Sequence, residues 1–303
     1  LTLSYNQQVK NSLDFYIKRA YRQIPHLLAL SKYYFPLFEE TLDQYGIPYE
    51  LKYLPVIESA LNPEAVSHMG AAGLWQFMYR TGKHMDLEIN SYVDERLDPI
   101  KSTHAACRYL NELYEIYDDW VLVIAAYNCG PGTVNRALRR AGDKSNFWEI
   151  YNYLPRETRK YVPAFIAVSY IFNYYNKHGF KAREMKIPQT TDTVIVKHDL
   201  HFRQISEMLS INLETLKFLN PGYKRNMIPA DSKARHLILP ANKISDFIEV
   251  EDSIHLYKDS IYLNPKKIAY KPQTSSASTY VSAQQPAGTE AVYYTIKSGD
   301  ALG

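Results

Sequence analysis

Cysteine is nearly missing from these 303 residues: Cys107 and Cys129 are the only two. So few exclude a disulfide framework, and their spacing matches no metal-ligand pattern. Both sit in apolar helical sequence, where cysteine serves as a small core residue; a single bridge between them stays open. No run of eighteen apolar residues occurs, so no membrane-spanning helix is expected. Charge of one sign is also missing. Thirty-five Lys and Arg against 32 Asp and Glu leave a net +3, and no basic run is dense enough for nucleic acid. No export signal or lipidation cysteine stands at the start. Leu1 is not a natural start and Gly303 falls inside a motif, so the chain reads as trimmed at both ends. An export signal is expected outside it.

What is present describes an ordinary globular protein, with 46% hydrophobic and 22% charged residues. The length suits two or three domains with a sizeable core. Tyrosine is the outlier, at 27 residues. Its flat apolar ring with a polar rim suits sugar rings, although most tyrosines serve to pack helices together.

Apolar residues at helical spacing predict helices over 9–21 and 26–45, with Pro36 kinking or splitting the second. Gly46-Ile47-Pro48 ends it. A further helix runs from about Tyr49 into Glu58, which stands beside Ser59 at the end of the apolar run Leu54-Pro55-Val56-Ile57. A carboxyl group in apolar sequence is costly to ionise, so its pKa rises and it can hold a proton near neutrality. A general acid requires that. After a polar turn and the small residues Gly70-Ala71-Ala72-Gly73, a helix is expected over 73–84. More helices are expected over 100–117, 120–128, 133–142 and 157–175.

Three segments carry a resemblance. Glu58-Ser59, Asn62-Pro63, Ser67, Gly70-Ala71, Gly73-Leu74, Gln76 and Met78 form the first. Ala125-Ala126-Tyr127-Asn128-Cys129-Gly130-Pro131-Gly132 is the second, and Leu154-Pro155-Arg156-Glu157-Thr158-Arg159-Lys160-Tyr161-Val162 the third. In this order they resemble the family 1 lytic transglycosylases, whose catalytic domain is lysozyme-like. Cys129 stands where that family has a small alanine. The Trp75-Gln76-Phe77 variant and the downstream region resemble the murein transglycosylase D branch. From Gly179 the composition changes. Strand 193–196, helices near 202–209 and 213–219, and strand 236–240 are similar to a LysM module, with Lys197-His198-Asp199-Leu200 in place of its usual Gly-Asp-Thr opening. Its sugar binding therefore stays open.

The expected fold is mainly α: a lysozyme-like all-helical catalytic domain followed by a small βααβ LysM-like domain. The domains are drawn at 1–182 (catalytic, with an N-terminal helical extension) and 190–242 (LysM-like). Residues 243–270 are unassigned, 271–290 read as a flexible linker, and 291–303 as the start of another LysM module.

The resemblance implies cleavage of the β-1,4 bond after N-acetylmuramic acid in peptidoglycan, leaving a 1,6-anhydro end, with Glu58 as the single acid and base. It also implies that Ser67 contacts substrate near the scissile bond while Gln76 and Met78 line the groove. Tyr127 would reach toward Glu58 and tune it, Asn128 would shape the wall, and Glu157 and Tyr161 would form the other side. No metal or organic cofactor is implied. The expected partner is the glycan strand, the expected state a monomer, and the expected location the periplasm or outer membrane of a Gram-negative bacterium. Two alternatives remain. A goose-type lysozyme would need a second carboxylate, for which the loop with Asp86, Glu88, Asp94 and Asp98 is the place to search. A peptidoglycan-binding scaffold would keep the groove without the chemistry.

Overall fold

The computed structural model describes residues 1–264 apart from 143, 145, 186, 189 and 232. The expected linker 271–290 and the strand-and-turn segment 291–303 lie outside the described residues. Among the described residues no helix is long and apolar enough to cross a membrane.

The first domain is helical throughout. Helix α1 (Gln7–Lys18) is capped by Asn6, whose side chain accepts from the Val9 N–H. Helix α2 (Ile24–Gln44) continues through Pro36 and is not split there. Losing the bond to the residue-32 carbonyl costs about 3 kcal/mol. Tyr34 and Phe38 on either side are buried, and each such side chain contributes about 1.5–3 kcal/mol, enough to keep the helix continuous. A 3₁₀ turn (Tyr49–Tyr53) leads into the six-residue helix α3 (Leu54–Ser59). Helix α4 covers Tyr79–His84 only, not 73–84 as the pattern predicted. Gly73 and Gln76 have φ of +84° and +48°, and Ala72 and Phe77 pair as an antiparallel bridge. Residues 70–77 are thus a folded turn.

Helix α5 (Pro99–Tyr117) starts on Asp98, whose carboxylate accepts from the N–H groups of Ile100 and Lys101 at 2.9 Å each. Helix α6 (Trp120–Cys129) is buried from Leu122 through Ala126 and packs against α5 and the helices that follow, α7 (Pro131–Arg140), α8 (Phe147–Ile150) and α9 (Arg156–Tyr174). A helix apolar on every side belongs at the centre of its domain.

The second domain pairs β1 (Thr191–Val196) with a distant antiparallel strand, β4 (Arg235–Pro240), Thr191 opposite Pro240 and Val196 opposite Arg235. Between them lie β2 (Leu200–His201), α10 (Phe202–Leu209), α11 (Leu213–Leu219) and β3 (Met227–Ile228), with β2 paired to β3. The strand–helix–helix–strand order matches the expectation, and the β2–β3 pair is an addition too short to show as a sequence pattern. The previously unassigned stretch contains α12 (Ile244–Ile254) and α13 (Asp259–Tyr262). Phe247 and Ile254 of α12 are buried in this domain's core beside Phe202 and Leu237, so its packing continues past residue 242.

Candidate active site

Glu58 sits in the last turn of α3 because that helix cannot go further. Ala60 and Leu61 adopt φ of +52° and +59°, a left-handed conformation that costs about 1–2 kcal/mol per non-glycine residue. Burial of Leu61 and two bonds from Ser59 hold the strained exit in place. The Ser59 hydroxyl lies 2.9 Å from both the Pro55 and the Leu74 carbonyls. The second of these ties the end of α3 to the 70–77 turn.

The carboxyl of Glu58 accepts a hydrogen bond on Oε1 from the hydroxyl of Tyr161, in α9. Glu58 keeps partial exposure as a residue, but its carboxyl is enclosed. Burial pushes its pKa up to about 7 from an ordinary 4.5; the Tyr161 bond opposes the rise and the charge of Glu157 adds to it. Near neutral pH the group is thus divided between its acid and its base form. Burial, and then the Glu58 charge, hold both Tyr161 and Tyr127 well above the usual phenol value, so both phenols stay protonated.

Of the two tyrosines the sequence singled out, the one bonded to Glu58 is Tyr161. Tyr127 was expected to reach toward that carboxyl, and it is near enough to feel its charge. Its hydroxyl is nevertheless donated to the Trp75 carbonyl at 2.7 Å. The reason is the turn at 73–77: in a continuous helix that carbonyl would be bonded within the helix, whereas here it is free to accept. Asn128 accepts from the Thr158 hydroxyl at 2.8 Å and so joins α6 to α9. Glu157 lies in the first turn of α9, close enough to act on Glu58.

Ser67, Gln76 and Met78 belong to the loop between α3 and α4. Ser67 closes a small hairpin, donating its N–H to the Ala71 carbonyl (2.8 Å) and accepting the Ala71 N–H on Oγ (3.0 Å). Gln76 turns its amide inward, donating to the carbonyls of Ala65 (3.1 Å) and Gly73 (2.9 Å). Met78 remains 42% exposed. Ser67 and Gln76 thus shape the loop first, and Met78 offers an apolar surface at its end.

Sequence reasoning passed over the residue that organises the loop. Arg96 is buried and forks onto Asp94, Nε to Oδ1 at 2.9 Å and Nη2 to Oδ2 at 2.8 Å. Its Nη1 donates to the carbonyls of Gly70 (2.8 Å) and Phe77 (3.1 Å), binding the two ends of the turn. Its own carbonyl presses on Gly73, where an added Cβ would lie 1.8 Å from that oxygen. An arginine two residues after an aspartate is visible in sequence, but its acceptors, 26 and 19 residues away, are not. Trp75, read in sequence only as part of a motif, is fully buried, donates Nε1–H to Thr103 at 2.9 Å and pins the turn to α5.

Three of the four loop acids that were candidates for a second catalytic carboxylate have other partners. Glu88 pairs with Arg235 and Lys233, Asp94 with Arg96, and Asp98 caps α5; Asp86 is exposed, with φ of +60°. Both cysteines are free thiols. Among the described residues no cluster of three or more His, Cys, Asp or Glu is placed to hold a metal. A cavity of about 150 Å³ lies between the two domains, against Asp98, Tyr223 and Arg235, and does not include Glu58.

Residues 36–149 match the family described as the transglycosylase SLT domain, and residues 190–256 match the LysM-like domain of lytic transglycosylase MltD. The chain therefore carries an SLT-type domain followed by an MltD-type LysM-like one. Membrane-bound lytic murein transglycosylase D of Escherichia coli K12 is 29% identical over 261 residues, covering 85% of this chain and 53% of that protein. Soluble lytic murein transglycosylase of the same strain is 31% identical over 124 residues, or 39% of this chain and 19% of that one. The chain thus spans about half the length, or less, of these two relatives. Among solved structures, the 70 kDa soluble lytic transglycosylase from Escherichia coli aligns over 48% of this chain and 24% of its own, with 29% identity and a TM-score of 0.41. The SLT match takes in Glu58 through Asn128 and stops short of Tyr161.

Proposed function

We propose that the SLT domain of this chain cleaves peptidoglycan as a lytic transglycosylase, with Glu58 as its single acid and base. The observation that supports this most is an enclosed carboxyl whose pKa is pushed up to about 7 and whose Oε1 accepts from Tyr161. Such a group can both give and take a proton near neutrality.

In this reading Glu58 donates its proton to the glycosidic oxygen between N-acetylmuramic acid and N-acetylglucosamine as the bond from that oxygen to C1 breaks. Positive charge develops at C1. The 6-hydroxyl of the muramic residue adds to C1, and its proton passes to the Glu58 carboxylate. No water is consumed, the 1,6-anhydro ring closes, and Glu58 is restored to its acid form. Tyr161 supports the carboxylate stage, because a hydrogen bond to the charged form favours it. Ser67, Gln76, Met78, Tyr127, Asn128 and Glu157 are assigned to the groove walls, and the glycan strand is the partner. The relatives' printed names, membrane-bound and murein among them, support a place in the cell envelope, on the periplasmic side or at the outer membrane.

Hydrolysis of the same bond is the second reading, favoured by one observation: Glu157 is near enough to Glu58 to raise its pKa, and it could serve as the base for a water. Mass spectrometry of products from purified sacculi separates the readings, with Glu58→Gln in parallel. Anhydro-muropeptides from the parent and none from the variant support the transglycosylase. Reducing-end products, heavier by one water, mean a hydrolase. Binding with no product from either protein means a scaffold.

A further inference from the structure

The second domain grips the loop that carries Arg96. Asp94 N–H donates to the Gly222 carbonyl and Lys224 N–H to the Tyr92 carbonyl, each at 2.8 Å, and Val93 pairs with Tyr223 as an antiparallel bridge. Beside this seam, Arg235 at the start of β4 makes a two-pronged ion pair with Glu88, Nη2 to Oε1 at 3.0 Å and Nη1 to Oε2 at 3.2 Å. The Arg235 side chain is 3% exposed. Its burial works against its charge, but the hydrogen bonds it donates to Asp231 and Glu88 outweigh that, and Arg235 in turn holds the Glu88 carboxyl below its usual range.

From Glu88 the bonds run inward. Glu88 N–H donates to the Glu95 carboxylate at 2.7 Å, and Glu95 N–H to the Glu88 carbonyl at 2.9 Å. The neighbouring Asp94 orients the Arg96 guanidinium, which holds the Gly70 and Phe77 carbonyls. That turn supplies the Leu74 carbonyl to Ser59, the neighbour of Glu58 in sequence, and the Trp75 carbonyl to Tyr127, which feels the Glu58 charge. A buried ion pair adds little net stability compared with apolar packing, but it tolerates few geometries. Here that selectivity sits at the outer end of a continuous bonded path to the candidate acid.

We propose that Arg235, through Glu88, is a positioning residue for the candidate active site. It holds residues 88–96 so that Arg96 keeps the 70–77 turn in the shape that seats Glu58. A side chain of the LysM-like domain then acts on catalysis without touching substrate. The catalytic half of this proposal rests on Glu58 being the acting acid.

The test uses the whole chain and three variants, Arg235→Met, Arg235→Lys and Glu88→Gln. Amide hydrogen exchange is read at Ala72 and Phe77, whose N–H groups close the turn, and kcat, KM and the pH profile on sacculi are read beside it. Arg235→Met and Glu88→Gln should lower protection at both amides and cut kcat about three- to thirtyfold with a smaller change in KM. The alkaline limb of the pH profile should move, and Arg235→Lys should restore part of the loss. Glu88→Gln is the gentler change if Arg235→Met unfolds the chain. Unchanged protection at Ala72 and Phe77 overturns the proposal, as does lost protection with kcat and pH profile intact. Should the parent release nothing from sacculi, the transglycosylase reading fails, while exchange alone still decides whether Arg235 holds the turn.

Discussion

The hydroxyl of Tyr161 donates to Oε1 of Glu58 across 103 positions of sequence, joining the second turn of α9 to the last turn of α3. The bond favours the charged carboxylate while enclosure favours the neutral acid, and enclosure prevails. Tyr161→Phe removes the opposing effect. The Glu58 pKa should rise further, moving the alkaline limb of the activity profile to higher pH. A lost hydrogen bond to a charged group is worth about 1.5 kcal/mol or more, so kcat should fall about tenfold. Measured pH–rate profiles decide it, and a limb moving to lower pH would sink the assignment of Tyr161 as donor.

The same carboxyl should make the fold less stable as pH rises. Its folded pKa, about 7, lies above the ordinary 4.5, so between those values the folded chain binds more protons than the unfolded one. Stability from this group is highest below about pH 4.5 and declines through about pH 7. The decline is roughly 2 kcal/mol once partial solvent screening is allowed for. Glu58→Gln carries no such charge and should gain on the parent as pH increases from 4 to 8. Urea unfolding across that range checks this; two curves that stay parallel would contradict it.

Gly73 and Gly70 separate two reasons for needing glycine. Both have φ above +80°, but a Cβ at Gly73 would collide with the Arg96 carbonyl, whereas nothing lies within 4 Å of one at Gly70. Gly70→Ala should cost about 1–2 kcal/mol from backbone strain alone. Gly73→Ala should cost more than about 4 kcal/mol, or fail to fold, because backbone must move. Equal midpoints in denaturant titrations of the two variants would refute the close approach.

The thiols should be inert in the native chain. Burial pushes Cys107 up to about 12 and also raises Cys129, and thiolate is the reactive form. Alkylation at pH 8 should be slow until denaturant is added and then reach both. Rapid labelling of either thiol under native conditions would count against this burial.

Helical periodicity, read from the chain alone, located most of the helices, because that signal is local; the structure adds the caps Asn6, Asp98 and Asp119 at the starts of α1, α5 and α6. The same local character explains the misses. Residues 73–78 carry a helical-looking apolar pattern, yet Gly73 is held against Arg96 and Gln76 bonds back to Ala65. A neighbour supplied by tertiary structure overrode the propensity. Pro36 failed to break α2 because burial on both sides outweighed one lost bond. The carboxyl at position 58, in its apolar run, was legible as the candidate acid, since desolvation can be inferred from adjacent residues. Which tyrosine donates to it, which carbonyls Arg96 holds, and that Arg235 pairs with Glu88 147 residues away were decided only when the chain folded. Hydrogen-bond partners distant in sequence depend on where helices and domains pack, and no local pattern encodes that.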